Sequence, residues 1–157
     1  MKKIILAFSI ALVLFIVTVF SVGSAAQKPF NQAKDEAFTL VKKQTDIETM
    51  DQFYWYNGEE TYFTVIGKND QNDTHIAIIR QSDGKMTLLE AEGTISEKEA
   101  KAITKRDKNP SRILEARIGM NETMPIWEVS FKQDNGQIGY YILSLKTGEW
   151  IKSMENI

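Results

Sequence analysis

Pro125-Ile126-Trp127-Glu128-Val129-Ser130-Phe131 reads as a strand, and Asp134-Asn135-Gly136 as a turn. Gly139-Tyr140-Tyr141-Ile142-Leu143 reads as a second strand, closed by the turn Thr147-Gly148-Glu149-Trp150. Trp127, Val129 and Phe131 alternate with Glu128, Ser130 and Lys132, the period of a strand with one face on a core. The same plan stands 64 residues earlier. Phe63 falls on Trp127, Val65 on Val129, Lys68 on Lys132, Asp70 on Asp134 and Gly84 on Gly148. The exported part therefore reads as two copies of one small module, each with little core of its own.

Working outward, each copy opens with a helix. Phe30, Ala33, Ala37, Leu40 and Val41 recur at helical spacing behind Pro29. In the second copy, Ser96 and Glu99 form a capping-box pattern before a helix expected over Glu97 to Lys105, with Ala100 and Ile103 facing inward and Pro110 as a stop. Glu36-Ala37 and Leu40 match Glu99-Ala100 and Ile103 at an offset of 63, so one residue of slippage is expected between helix and sheet. Four strands come after each helix: about Met50 to Tyr56, Tyr62 to Lys68, Thr74 to Gln81 and Lys85 to Glu90, then Ile113 to Met120, Ile126 to Lys132, Ile138 to Leu145 and Glu149 to Met154. The third strand of each copy is apolar at both parities. A one-helix sheet leaves its second face wet unless something covers it, either the other module or a partner.

Ahead of the modules stands Met1-Lys2-Lys3 and then Ile4 to Val22, 19 residues without a charge. As a helix that run spans roughly 28 Å, about one bilayer core. The lysines favour a cytoplasmic amino terminus, which places everything after Ala26 outside the cell. Ser24-Ala25-Ala26 offers the alternative of a signal peptide cleaved after Ala26, although the apolar run is longer than the usual signal core. The domain reading is residues 1–26 as cytoplasmic start and signal anchor, 27–93 as the first module and 94–157 as the second. The fold class is α+β, a transmembrane helix followed by two tandem helix-plus-antiparallel-sheet modules.

Composition limits the chemistry. There is no cysteine and one histidine, His75, so thiol catalysis, thiolate metal sites and paired-histidine mechanisms are excluded. Setting aside Lys2 and Lys3 leaves 17 basic against 21 acidic residues, a net of −4. That balance argues against nucleic acid. The turn Asn69 to Asp73 has Thr74 and Arg80 where a calcium loop needs Gly and Glu, and it reads as a polar hairpin. His75 reads as a plain strand histidine. No catalytic, cofactor or metal residue is assigned, and the chain is read as no enzyme. Glu59-Glu60, Asp134 and Glu149 fall at turns, where solvated charges are ordinary. The aromatic run Phe53-Tyr54-Trp55-Tyr56 with Tyr62 and Phe63 across its turn is either cross-strand pairing and core or a recognition face. Tyr54, Tyr56, Tyr62 and Tyr140 are the candidate partner-binding residues.

Ile95-Ser96-Glu97-Lys98-Glu99-Ala100, Pro125-Ile126-Trp127-Glu128-Val129 and Leu145-Lys146-Thr147-Gly148-Glu149-Trp150 resemble the PepSY module, a helix on a small antiparallel sheet of cystatin-like form. Two such modules behind an anchor resemble the TseB (YpmB-like) family of Gram-positive bacteria, as does Phe53 to Gly58 followed by Tyr62-Phe63-Thr64-Val65. The resemblance implies a non-enzymatic, membrane-anchored regulator of cell-wall elongation that binds a penicillin-binding protein of the 2A type. The alternative it leaves is a PepSY-type inhibitor or chaperone of a secreted peptidase.

Overall fold

The computed structural model describes residues 27–155. The anchor expected at Ile4 to Val22 and the alternative cleavage after Ala26 lie outside the described residues. Among those described, no helix is long and apolar enough to cross a membrane. The chain divides into two compact units, residues 1–36 and Ala37–Ile157. Of the first, residues 27–36 are helical, with Gln32 Nε2 donating to Glu36 Oε1 at 2.8 Å one turn on. The second unit holds every strand.

Helix α1 covers residues 27–44. Its Ala37 and Val41 are buried, as the apolar spacing requires. Four antiparallel strands come next: β1 (Thr49–Asn57), β2 (Thr61–Lys68), β3 (Thr74–Arg80) and β4 (Met86–Glu90), paired in that order. Helix α2 (Glu97–Lys108) opens the second set, β5 (Arg112–Asn121), β6 (Met124–Lys132), β7 (Ile138–Ser144) and β8 (Trp150–Met154), again in sequence order. Among the described residues the architecture is α+β in two modules, two helices and two four-stranded antiparallel sheets.

Helix α2 starts where its caps dictate. Ser96 Oγ accepts from Glu99 N at 3.3 Å, and Ser96 N donates back to Glu99 Oε2 at 2.8 Å. It runs past the expected Lys105 to Lys108 and stops at Asn109, whose left-handed φ of 44° turns the chain into Pro110. Thr104 is fully buried in its inner face, a position with no apolar signal, because its hydroxyl donates back to Ala100 O at 2.9 Å.

The repeat is visible in the strand register. Val65 pairs with Ala77 as Val129 pairs with Tyr141, and Ile79 with Met86 as Leu143 with Trp150. Gly84 and Gly148 hold φ of 71° and 72°, each donating its N–H four residues back at 2.9 Å. Only glycine takes that conformation without strain. A Cβ on Gly148 would also sit 2.9 Å from Ile103 Cδ1. The one-residue slip is not between helix and sheet. β1 and β5 carry their bulges between Met50 and Gln52 and between Ile113 and Glu115, still at the helix's offset of 63. The offset changes to 64 across the first hairpin turn, where an extra residue is absorbed without disturbing a ladder, and β7 and β8 carry a further irregularity at Ile142 and Leu143 that β3 and β4 lack.

Odd positions of β2 and β3 (Val65, Ala77, Ile79) pack with Ala37, Val41 and Ile47 beneath α1. The even positions face the other module. Tyr56, Tyr62, Ile76 and Ile78 share one core with Ala116, Ile118, Ile126 and Ile142. Of the two covers open to that second face, the neighbouring module supplies it. Thr64, fully buried, donates its hydroxyl to Ile118 O at 3.2 Å, and Tyr56 lies on Gly119 so closely that a Cβ there would be 2.2 Å from its ring.

Candidate functional site

The four tyrosines singled out from the sequence separate into two places. Tyr54 is half-buried at one side of the module junction. Its ring meets Trp127 edge-on at 5.4 Å between centroids, and its hydroxyl donates to Glu97 Oε2 at 2.9 Å. Burial, then that bond and the Glu97 charge, raise the Tyr54 phenol. Burial pushes the Glu97 carboxyl up, but hydrogen bonds from Lys101 and Tyr54 more than offset it, and the net shift is downward. Trp127 Nε1 donates to Ile95 O at 2.9 Å, which ties sheet, helix entry and junction together.

Tyr56, Tyr62 and Tyr140 come together elsewhere, in a cleft of about 530 Å³ between the β1–β2 turn and the face of the second sheet that the first module covers. Tyr56 and Tyr62 are 6% exposed and pack with centroids 6.4 Å apart. Tyr62 donates its hydroxyl to Glu60 Oε2 at 2.8 Å, and Glu60 is bridged by Arg80 at 3.0 Å. Burial, with the charges of Glu128 and Glu59, pushes the Tyr56 phenol up to about 12.

Sequence alternation places Glu128 outward, with Ser130 and Lys132. The structure corrects that: Glu128 is 8% exposed. It sits in a cross-strand row, Arg117 opposite Glu128, Glu128 opposite Ile142, and Ile142 opposite Lys152. Its face is closed over by the first module, so the position is polar by period and buried by docking. Arg117, Glu128 and Lys152 were not among the expected site residues. The available signal was a charged pair facing across two strands whose same-face neighbours, Ile126 and Ile142, are apolar.

Burial raises the Glu128 carboxyl against the opposing pull of Arg117 and Lys152. The folded protein therefore keeps this proton at a pH where the unfolded chain has lost it. Its stabilising contribution is complete below the unfolded carboxyl's pKa and is lost as pH rises through the raised folded value. Glu128→Gln removes that loss. Urea midpoints of the full chain, taken from about pH 4 to pH 8, are expected to show the variant gaining on the parent as pH rises. A difference that stays flat or runs the other way refutes the buried, poorly compensated carboxylate.

Among the described residues no group of three or more His, Asp or Glu side chains is placed to hold a metal ion. The Asn69 to Asp73 loop is a hairpin closed by Asn69 N to Asp73 O at 3.1 Å, with Asn69 Oδ1 accepting from the N–H groups of Gln71 and Asp73. His75 Nε2 lies 3.4 Å from Asn69 Nδ2.

Comparison with known proteins places the chain. The model of the cell wall elongation regulator TseB-like domain matches residues 36–80. The probable cell wall elongation regulator TseB of Bacillus subtilis (strain 168) is 28% identical over 160 residues, spanning 98% of this chain and 99% of that protein. The solved structure of the YpmB protein from Bacillus subtilis superposes with a TM-score of 0.70 at 25% identity, over 77% of this chain and 95% of that one. The family model and the sequence relative are both named as cell wall elongation regulators. The domain match over residues 36–80, the near end-to-end sequence likeness and the shared fold all mark the chain as similar to a cell wall elongation regulator.

Proposed function

We propose that the chain is a non-enzymatic, membrane-anchored, extracytoplasmic regulator of cell-wall elongation that acts by binding a penicillin-binding protein of the 2A type. The observation that carries this reading is the likeness to the Bacillus subtilis regulator over 98% of the chain and 99% of that protein. Ile4 to Val22 is the proposed single-pass anchor at the cell membrane, with Lys2 and Lys3 on the cytoplasmic side. Residues 27–93 and 94–157 are the two PepSY/cystatin-like modules outside. Tethering confines both partners to one membrane surface, so a weak interface suffices for occupancy. Tyr56, Tyr62 and Tyr140 offer contact through the cleft, and Tyr54, half-buried, is the fourth proposed contact residue.

A photoreactive residue at Tyr140 or Glu59 on the cleft, and separately at Trp150 or Met124 on the exposed surface by β8 and β6, tests this in living cells. Trp150 and Met124 are 59% and 48% exposed. The expected result is capture of a penicillin-binding protein from the cleft positions. Capture from Trp150 or Met124 alone keeps the regulator reading and moves its surface. A secreted peptidase captured instead puts the inhibitor or chaperone alternative first. Cells in which no position captures either class of protein exclude regulation by direct contact.

A further inference from the structure

Glu128 has no hydrogen bond and no salt bridge among the described residues, although it is 8% exposed. Buried carboxylates are ordinarily paired, because a desolvated charge without a partner is costly. The two nearby cations do not supply the pair. Arg117 gives its guanidinium to Glu115, and Lys152 stands exposed on β8 with Ile142 between it and Glu128 in the cross-strand row. Both charges favour the ionised carboxyl without touching it.

The space above Glu128 is walled by tyrosines and acids. Tyr56, Tyr62 and Tyr140 line it with Glu59, Glu60 and Glu122, and Arg117 and Lys152 also border it, so with Glu128 its acids outnumber its bases. Tyrosine faces attract cations electrostatically, and an excess of acidic groups raises the local concentration of positive charge. We infer that this cleft is a binding site for the cationic end of a lysine or arginine side chain presented by a partner protein, with the Glu128 carboxylate as its counter-charge. The source of the cation rests on the contact function proposed above; the cation recognition itself does not.

A lysine or arginine carries its charge at the end of a slim apolar stem, which suits a cleft that sets tyrosine rings beside a carboxylate. A volume of about 530 Å³ admits such a side chain. The bound cation would supply Glu128 with the charge-assisted hydrogen bonds it lacks.

The test is a chemical-shift titration of the full chain in phospholipid nanodiscs at neutral pH. The probes are Nα-acetyl-lysine N-methylamide and Nα-acetyl-arginine N-methylamide. Nα-acetyl-norleucine N-methylamide and glycinamide serve as the uncharged-stem and short-ammonium controls. The expected result is movement of Tyr56, Arg117, Glu128 and Tyr140 signals by a cationic probe and not by either control. Glu128→Gln, which the pH argument expects to fold at least as well as the parent, should weaken that binding at least about tenfold. The site is overturned by norleucine or glycinamide binding equally well, by Glu128→Gln binding like the parent, or by no cleft signal moving at millimolar probe. The two failures stay separate: an inert probe leaves the regulator reading standing, and failure to capture a penicillin-binding protein leaves a positive titration intact.

Discussion

Trp127→Ala is expected to cost about 3–5 kcal/mol of unfolding free energy, the range for truncating a large aromatic in a packed core. The side chain is 2% exposed, on β6 beneath α2. Three losses coincide there. The indole volume leaves a cavity under the helix, the edge contact with Tyr54 disappears, and the carbonyl of Ile95 loses the indole donor. Because Tyr54 belongs to β1, the substitution reaches both modules. A domain of this size holds about 5–15 kcal/mol in total, so the variant stands near its unfolding midpoint under mild denaturant. Trp127→Phe keeps most of the ring and loses the donor, and is expected to cost about 1–2 kcal/mol. Urea unfolding of the full chain in detergent measures both. A loss below about 1 kcal/mol for the alanine variant would contradict a single core centred on this ring.

Gly119→Val acts where the two modules meet. A Cβ at position 119 would stand 2.2 Å from Tyr56 Cδ1 and 2.3 Å from its Cγ, closer than any real contact. Tyr56 is held by Tyr62 on another side and can yield only toward the cleft it lines. Overpacking of this kind costs about 1–3 kcal/mol, more where neighbours cannot yield. The strain belongs to the pair, so Tyr56→Ala in the same chain should relieve much of it. The double variant is then more stable than the two single losses added together. The strength of that coupling is the measurement. Simple additivity would mean that the ring and the glycine do not touch in solution.

These two sites show what the chain disclosed in advance. The stretch around Trp127 was legible because strand alternation, turn glycines and the 64-residue echo are local signals. Pairings such as Val65 with Ala77 and Val129 with Tyr141 follow from them. The Ser96 and Glu99 cap was legible for the same reason. Gly119 and Glu128 were not. Their burial depends on how one sheet lies on the other, and no period within a strand records that. The four candidate tyrosines are divided by the same docking, Tyr54 to the junction with Trp127 and the other three to the cleft. The position of the one-residue slip was equally hidden, because helix and strand offsets alone do not say which connection absorbs the insertion.

That insertion lies in the hairpin turns facing the cleft, Asn57 to Glu60 in one copy and Asn121 with Glu122 in the other. The two copies share strand order and the register of their central strands, and they differ at this turn. The cleft draws Tyr56 and Tyr62 from the first copy and Arg117, Glu128 and Tyr140 from the second, so neither copy holds it alone. A single copy of the module could not hold this cavity. It exists only where two copies meet, and it gives a repeated scaffold one distinguishable end.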